Sequence, residues 1–191
     1  MKLVSGKRQA ESKKRRRFSP LFRVAFLLLA ACLSFTAHAQ KRSARGWVWQ
    51  NPLPQGNPLY SIHFAKNKES GFAVGSDSTI LATNDGGFNW KKQLSPVDAT
   101  LSGIFVKDEK RAIIVGARGT ILETNNGGKD WKTIQTEAKD HLYSVSFTGE
   151  NLQTGWAVGT YGRILKTSDG GLTWTSQKAE TTEHLLKISS F

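Results

Sequence analysis

From residue 59 onward, short apolar runs alternate with clusters of Gly, Asp, Asn and Ser, and the pattern returns about every forty residues. One copy reads GFAVGSDSTILATNDGGFNW from Gly71 to Trp90, the next RAIIVGARGTILETNNGGKDW from Arg111 to Trp131, the third GWAVGTYGRILKTSDGGLTW from Gly155 to Trp174. The Val-Gly pair recurs at Val74-Gly75, Val115-Gly116 and Val158-Gly159. The closing Trp recurs at 90, 131 and 174, in steps of 41 and 43. Ahead of each copy lies one more run: LYSIHF from Leu59, LSGIFV from Leu101, LYSVSF from Leu142. These runs are too short for helices and rich in β-branched and aromatic residues, with turn formers at each junction. Each unit therefore predicts four short strands: A, the Leu-initiated run; B, ending in Val-Gly; C, the Ile-Leu-x-Thr run; and D, starting at the Trp. The period fits one blade of a β-propeller. The runs are apolar on both faces, which suits sheets covered on each side by a neighbour.

The fold class predicted is all-β: a β-propeller of four-stranded antiparallel blades, with whole blades at 59–93, 101–134 and 142–177. Trp47-Val48-Trp49-Gln50 matches the start of strand D, within an N-terminal segment 40–58 that carries a clasp-like outer strand. Residues 185–191 match strand A and would begin a fourth blade. Closed propellers take about four to eight blades. Three full blades plus one strand at each end predict an incomplete ring: a truncated product or a fragment, or a chain that self-associates through its open blade faces.

The turn between C and D carries the sharpest motif. Thr83-Asn84-Asp85-Gly86-Gly87-Phe88-Asn89-Trp90 and Thr167-Ser168-Asp169-Gly170-Gly171-Leu172-Thr173-Trp174 fit S/T-x-D-x-G-x-T-W closely. Thr124 to Trp131 fits with Asn126 in place of Asp and Gly128 at the fifth position. The motif resembles the Asp-box hairpin of sialidase-type propellers. A carboxylate or amide at position three can accept backbone N–H groups across a tight turn, and the following Gly supplies positive φ. Trp then covers the space between blades. Three-fold repetition of one turn chemistry points to structure, not to calcium or catalysis, and the boxes are assigned as structural: Thr83, Asp85, Gly87 and Trp90; Thr124, Asn126, Gly128 and Trp131; Thr167, Asp169, Gly171 and Trp174.

The N-terminus changes the meaning of the charge. Lys13-Lys14-Arg15-Arg16-Arg17 precedes an apolar stretch of twelve, Val24 to Phe35, and then Ala37-His38-Ala39. This pattern predicts a signal peptide over residues 1–39, cleaved after Ala39. Twelve apolar residues are too few for a stable membrane span. Leu29-Ala30-Ala31-Cys32 offers a lipoprotein start at Cys32 as the alternative. The chain carries a net +12, but residues 1–39 hold nine bases and one acid, so only +4 remains beyond them, scattered. Nucleic acid is not expected as a partner. Cys32 is the single cysteine, so after a cut at Ala39 no disulfide, thiol nucleophile or thiolate metal site exists. Periplasmic, extracellular or cell-surface placement follows.

Enzyme chemistry finds little support. His63, His141 and His184 lack metal-ligand spacing, and no nucleophile elbow or phosphate loop occurs. The inner strands hold no Arg of the kind a sialidase would use. His63 reads as a packed or channel-lining side chain. No catalytic residue, metal or cofactor is expected.

The blades with A-V-G-x-x-G-x-I-L-x-T-x-D-G-G-x-x-W, together with the opening from Trp47 to Leu59, resemble the photosystem II stability/assembly factor family of β-propellers, in particular its secreted bacterial members. The resemblance covers about residues 46 to 191. It implies the propeller fold and a non-enzymatic, protein-binding role: members that work in photosynthesis are scaffolds holding an early reaction-centre intermediate. Ser78 departs from the pattern where the later blades have Gly119 and Gly162. The B–C turns and D–A loops of a propeller gather on one face, where Asp77, Arg118, Tyr161 and Arg163 are the candidate binding residues. The alternative function is a glycan-binding or degenerate sialidase-like surface propeller.

Overall fold

The computed structural model describes residues 56–190. The predicted signal peptide and the Trp47 strand lie outside the described residues. Twelve strands follow: β1 Leu59–Phe64, β2 Gly71–Gly75, β3 Ile80–Thr83, β4 Lys91–Gln93, β5 Leu101–Val106, β6 Ala112–Gly116, β7 Ile121–Thr124, β8 Lys132–Thr133, β9 Leu142–Thr148, β10 Thr154–Gly159, β11 Ile164–Thr167 and β12 Thr175–Gln177. They form three four-stranded sheets in sequence order, with every pairing antiparallel. This is a β-propeller architecture of three blades. Each outer strand starts one residue after the Trp.

The middle blade shows why its runs are apolar on both faces. Every residue of β6 is buried. Ala112 and Ile114 face the first blade, in a cluster with Phe72, Val74, Ile80, Leu101 and Leu122. Ile113 and Val115 face the third blade, with Ile121, Leu142, Phe147 and Leu165. Period-two side chains thus serve two cores at once. Each fully buried Ile or Leu contributes about 1.5–3 kcal/mol. In the first blade Leu59 and Ile62 are about half exposed. Their equivalents Leu101 and Ile104 are buried against the blade before them.

The repeated Val-Gly has a steric cause. A Cβ on Gly75, Gly116 or Gly159 would lie 2.0–2.2 Å from the carbonyl oxygen of Pro58, Thr100 or His141. Only a residue without a side chain lets strand B end so close to the start of strand A.

Residues 185–190 differ from the expected fourth inner strand. They run beside β9, with the Leu185 N–H donating to the Gly159 carbonyl at 2.9 Å and the Ile188 N–H to Ser144 Oγ at 3.3 Å. No ladder forms, because no neighbouring strand pairs with the segment among the described residues.

Candidate functional site

The Asp-box turns close one end of each blade. In the third, Thr167 Oγ1 accepts the Gly171 N–H at 2.9 Å and donates to Asp169 Oδ1 at 2.8 Å. The same Oδ1 accepts the Thr173 N–H at 3.0 Å, and Oδ2 accepts the Thr173 hydroxyl at 2.5 Å. The first turn repeats this with Thr83, Asp85, Gly87 and Asn89. In the second, Asn126 Oδ1 accepts the Asp130 N–H at 3.0 Å while its amide donates to the Asp130 carboxylate at 2.9 Å. The acid has moved from position three to position seven, and the bonding pattern survives. Burial pushes the Asp169 carboxyl up, but the Thr173 and Thr167 bonds outweigh it and hold it at about 2. The Trp residues differ. Trp131 is buried edge-on to Phe72 of the preceding blade at 5.5 Å. Trp174 and Trp90 are half-buried, edge-on to Phe147 and Phe64 of their own blades at 5.9 and 6.0 Å. Both oxygens of Asp85 and of Asp169 are engaged inside their own turns, so these boxes hold themselves together.

The opposite end gathers the B–C turns. Ser78, Gly119 and Gly162 each donate a backbone N–H to the linker ahead of the next blade, at Ala99, Asp140 and Glu183, at 2.7–3.1 Å. Ser78 takes the same left-handed conformation as the two glycines, φ 57° against 67°. A Cβ at Gly119 or Gly162 would meet a linker carbonyl at 2.0 Å. At Ser78 the side chain instead accepts the Ala99 N–H at 3.3 Å. The preceding residues Asp77, Arg118 and Tyr161 also have positive φ, 48–56°, and are exposed. The turn points each of them outward at the same place in its blade.

A second feature aims side chains at this end. Each inner strand carries a register shift at its second residue, so Tyr60, Ser102 and Tyr143 are extra residues between paired neighbours. A bulge turns its extra side chain out of the ladder. Ser102 Oγ and His141 Nε2 lie 2.6 Å apart. The His141 ring stacks on Tyr143 at 4.6 Å, and His184 meets Tyr143 at 6.4 Å and Tyr161 at 5.3 Å, both edge-on. The Tyr161 N–H donates to His184 Nδ1 at 3.3 Å. Ser102, His141, Tyr143, His184 and Tyr161 thus form one continuous chain of side chains across two blades. Burial lowers the His141 pKa, so the ring is neutral near pH 7 and can accept the Ser102 proton in a hydrogen bond.

The four candidate binding residues are not equivalent. Tyr161 is 71% exposed and joins the aromatic chain. Arg118 is exposed, with one guanidinium nitrogen on the Asp98 carbonyl at 2.5 Å. Asp77 is exposed at the first blade. Arg163 is committed elsewhere: it pairs with Asp140 at 2.6 Å and donates to Ser176 Oγ at 2.9 Å, tying the third blade to the linker before it. His63 is half-buried, stacked on Phe105 at 4.9 Å, and its Nδ1 accepts the Val106 N–H at 3.1 Å. Burial lowers its pKa. The Ser102–His141 contact went unread in the sequence. Its one trace is that His141 and His184 both sit immediately before a Leu-initiated run, 43 residues apart.

Residues 90–181 match the family model described as photosynthesis system II assembly factor YCF48. The repeats are similar to the photosystem II assembly factor-like family of β-propellers, over just under half of the chain. Over 39 residues the chain is 51% identical to the photosystem II assembly lipoprotein Ycf48 of Trichormus variabilis and to that of a Nostoc species. That stretch is 20% of this chain and 12% of each relative. Among solved structures, YCF48 from Cyanidioschyzon merolae superposes with a TM-score of 0.59 at 26% identity, over 70% of this chain and 44% of that one. YCF48 bound to D1 peptide gives 0.59 at 22% identity, over 68% of this chain and 42% of that one. An ancestral GH74 enzyme gives 0.56 at 18% identity, over 69% of this chain and 20% of that one, a likeness of fold alone. The chain spans less than half the length of the YCF48 structures it matches.

Proposed function

We propose that this chain is a non-enzymatic, exported β-propeller module that holds a partner polypeptide on the face carrying its B–C turns, in the manner of an assembly factor. The observation that carries this reading is the convergence on that face of outward-pointing turn residues, Arg118 and Tyr161, with the aromatic chain through His184, Tyr143 and His141. Tyr and Arg combine apolar area with directed hydrogen bonds, and both recur where binding energy concentrates. The YCF48 relative bound to a D1 peptide supports a polypeptide as the occupant. The Ser102–His141 pair does not argue for hydrolysis, because the nearest carboxylate in sequence, Asp140, is taken by Arg163, and among the described residues no carboxylate bonds the imidazole.

Export is part of the same reading. The curated relatives are called lipoproteins, which supports the start at Cys32 alongside the cut after Ala39. Intact-mass analysis of the exported chain decides between a free Gln40 and a lipidated Cys32.

The test of binding is capture of the partner by the exported full chain and by an Arg118→Ala/Tyr161→Ala variant, with Lys91→Ala on an outer strand as the control. The double variant loses the partner at unchanged thermal stability, while the control keeps it. Equal capture by all three would overturn the assignment of this face.

A further inference from the structure

A groove of about 800 Å³ runs along the outer rim between the linker into the third blade and that blade's outer strands. Gln135, Thr136 and Glu137 line one wall, and Arg163, Trp174 and Ser176 line the other. It meets the B–C turn surface described above at Arg163. We propose that this groove is a saccharide-binding site, taking an uncharged oligosaccharide of about two or three rings, a length that fits its volume.

The chemistry of the walls carries the argument. Trp174 is half-buried, and its indole is fixed at both ends: Nε1 donates to the Gly171 carbonyl at 2.9 Å, and the ring stands edge-on to Phe147. A fixed, partly exposed indole is a platform for the apolar face of a pyranose ring. Its counterpart Trp131 is 6% exposed and packed under Phe72, so the same position in the second blade offers no platform. Around Trp174 stand an amide and hydroxyls, from Gln135, Thr136, Thr175 and Ser176. Among the described residues Thr136 Oγ1 is a buried hydroxyl with no hydrogen-bond partner. Its oxygen lies beneath the groove surface, so a ligand hydroxyl or a water reaches it once the Gln135–Glu137 wall shifts, and an unpaired buried hydroxyl favours that shift.

Charge selects against other ligands. Arg163 is the cation of the groove, and its charge is already matched by Asp140. Glu137 adds a negative charge on the facing wall. An anionic polymer such as nucleic acid finds no unpaired cation among the lining residues, whereas the hydroxyl groups of a neutral sugar find both donors and acceptors. The Asp140 and Ser176 bonds hold the Arg163 guanidinium in place, so the polar wall is ordered before a ligand arrives.

The test uses the full chain with three neutral probes, cellohexaose, maltohexaose and chitohexaose, read by calorimetry and by tryptophan fluorescence. At least one binds saturably. Trp174→Ala weakens that binding by about tenfold or more. Because Trp174 also closes its Asp-box, Gln135→Ala and Thr136→Val provide variants outside the box. Each weakens binding several-fold without lowering thermal stability. The Arg118→Ala/Tyr161→Ala variant keeps its saccharide affinity, which separates this site from the polypeptide surface. Failure of all three probes to bind, or binding indifferent to Trp174, Gln135 and Thr136 alike, would overturn the proposal.

Discussion

Replacing Asp169 by Ala removes the acceptor for three hydrogen bonds: from Thr167 Oγ1, from the Thr173 N–H and from the Thr173 hydroxyl. At about 0.5–1.5 kcal/mol each, the gross loss is roughly 1.5–4.5 kcal/mol. Thr173 is exposed and water replaces part of what is lost, so a net loss of about 1–2 kcal/mol is expected. Asp169→Asn is the decisive companion. The second box shows that an amide oxygen at position three still accepts the position-seven N–H, so Asn should cost well under half of what Ala costs. The two variants also differ from the native chain in pH dependence. The Asp169 carboxyl is held at about 2, below its ordinary 3.8. Its contribution is therefore complete above about pH 4 and fades as pH falls toward 2. Urea unfolding of the native chain, Asp169→Ala and Asp169→Asn at pH 7 and near pH 3 measures all of this. Equal losses for Ala and Asn would refute the turn-bonding account. So would an Ala variant of native stability that no longer holds its partner, which would make the Asp a binding residue.

Three further outcomes are expected. Lys107 is 8% exposed, caps the Gly170 carbonyl of the third box and lies over the Phe147 ring at 4.2 Å. Burial is the main cause of its lowered pKa, so its burial penalty falls as pH rises through that value toward the ordinary 10.5. The native chain should gain stability over that range relative to Lys107→Met, measured by chemical denaturation. A double-mutant cycle on Asp140→Asn and Arg163→Met should give a coupling of about 0.5–1.5 kcal/mol, because the pair is partly exposed. Gly119→Ala should cost roughly 3 kcal/mol or more, since its Cβ would meet the Ala138 carbonyl at 2.0 Å, whereas Gly127→Ala, with 3.4 Å of room, costs only about 1 kcal/mol for its positive φ.

The repeat alone determined the strands, their order and the box turns. Those features rest on short-range chemistry: a hydroxyl two residues before an acid or amide, a Gly in the left-handed region, apolar runs bounded by turn formers. Each is complete within about a dozen residues and recurs in register, so it is visible in one dimension. The outward positions of Asp77, Arg118 and Tyr161 were legible for the same reason, because a B–C turn must project its central residue.

Tertiary structure decided how the turn residues are engaged. Arg163 looked like Arg118 in the sequence, yet the linker after the second blade brings Asp140 within 2.6 Å of it, so its charge is already paired. The sequence could not show this, because the ion pair spans 23 residues and depends on how one blade meets the next. The Ser102–His141–Tyr143 arrangement needs a bulge in each inner strand, and nothing in LSGIFV or LYSVSF announces one. The difference between buried Trp131 and half-buried Trp174 has the same origin. Equivalent motifs place the two indoles, but the residue that the preceding blade sets near each box, Phe72 for the second and Ile113 for the third, belongs to another repeat. Contacts between blades are set by packing across the repeat, and only the folded chain brings those partners together.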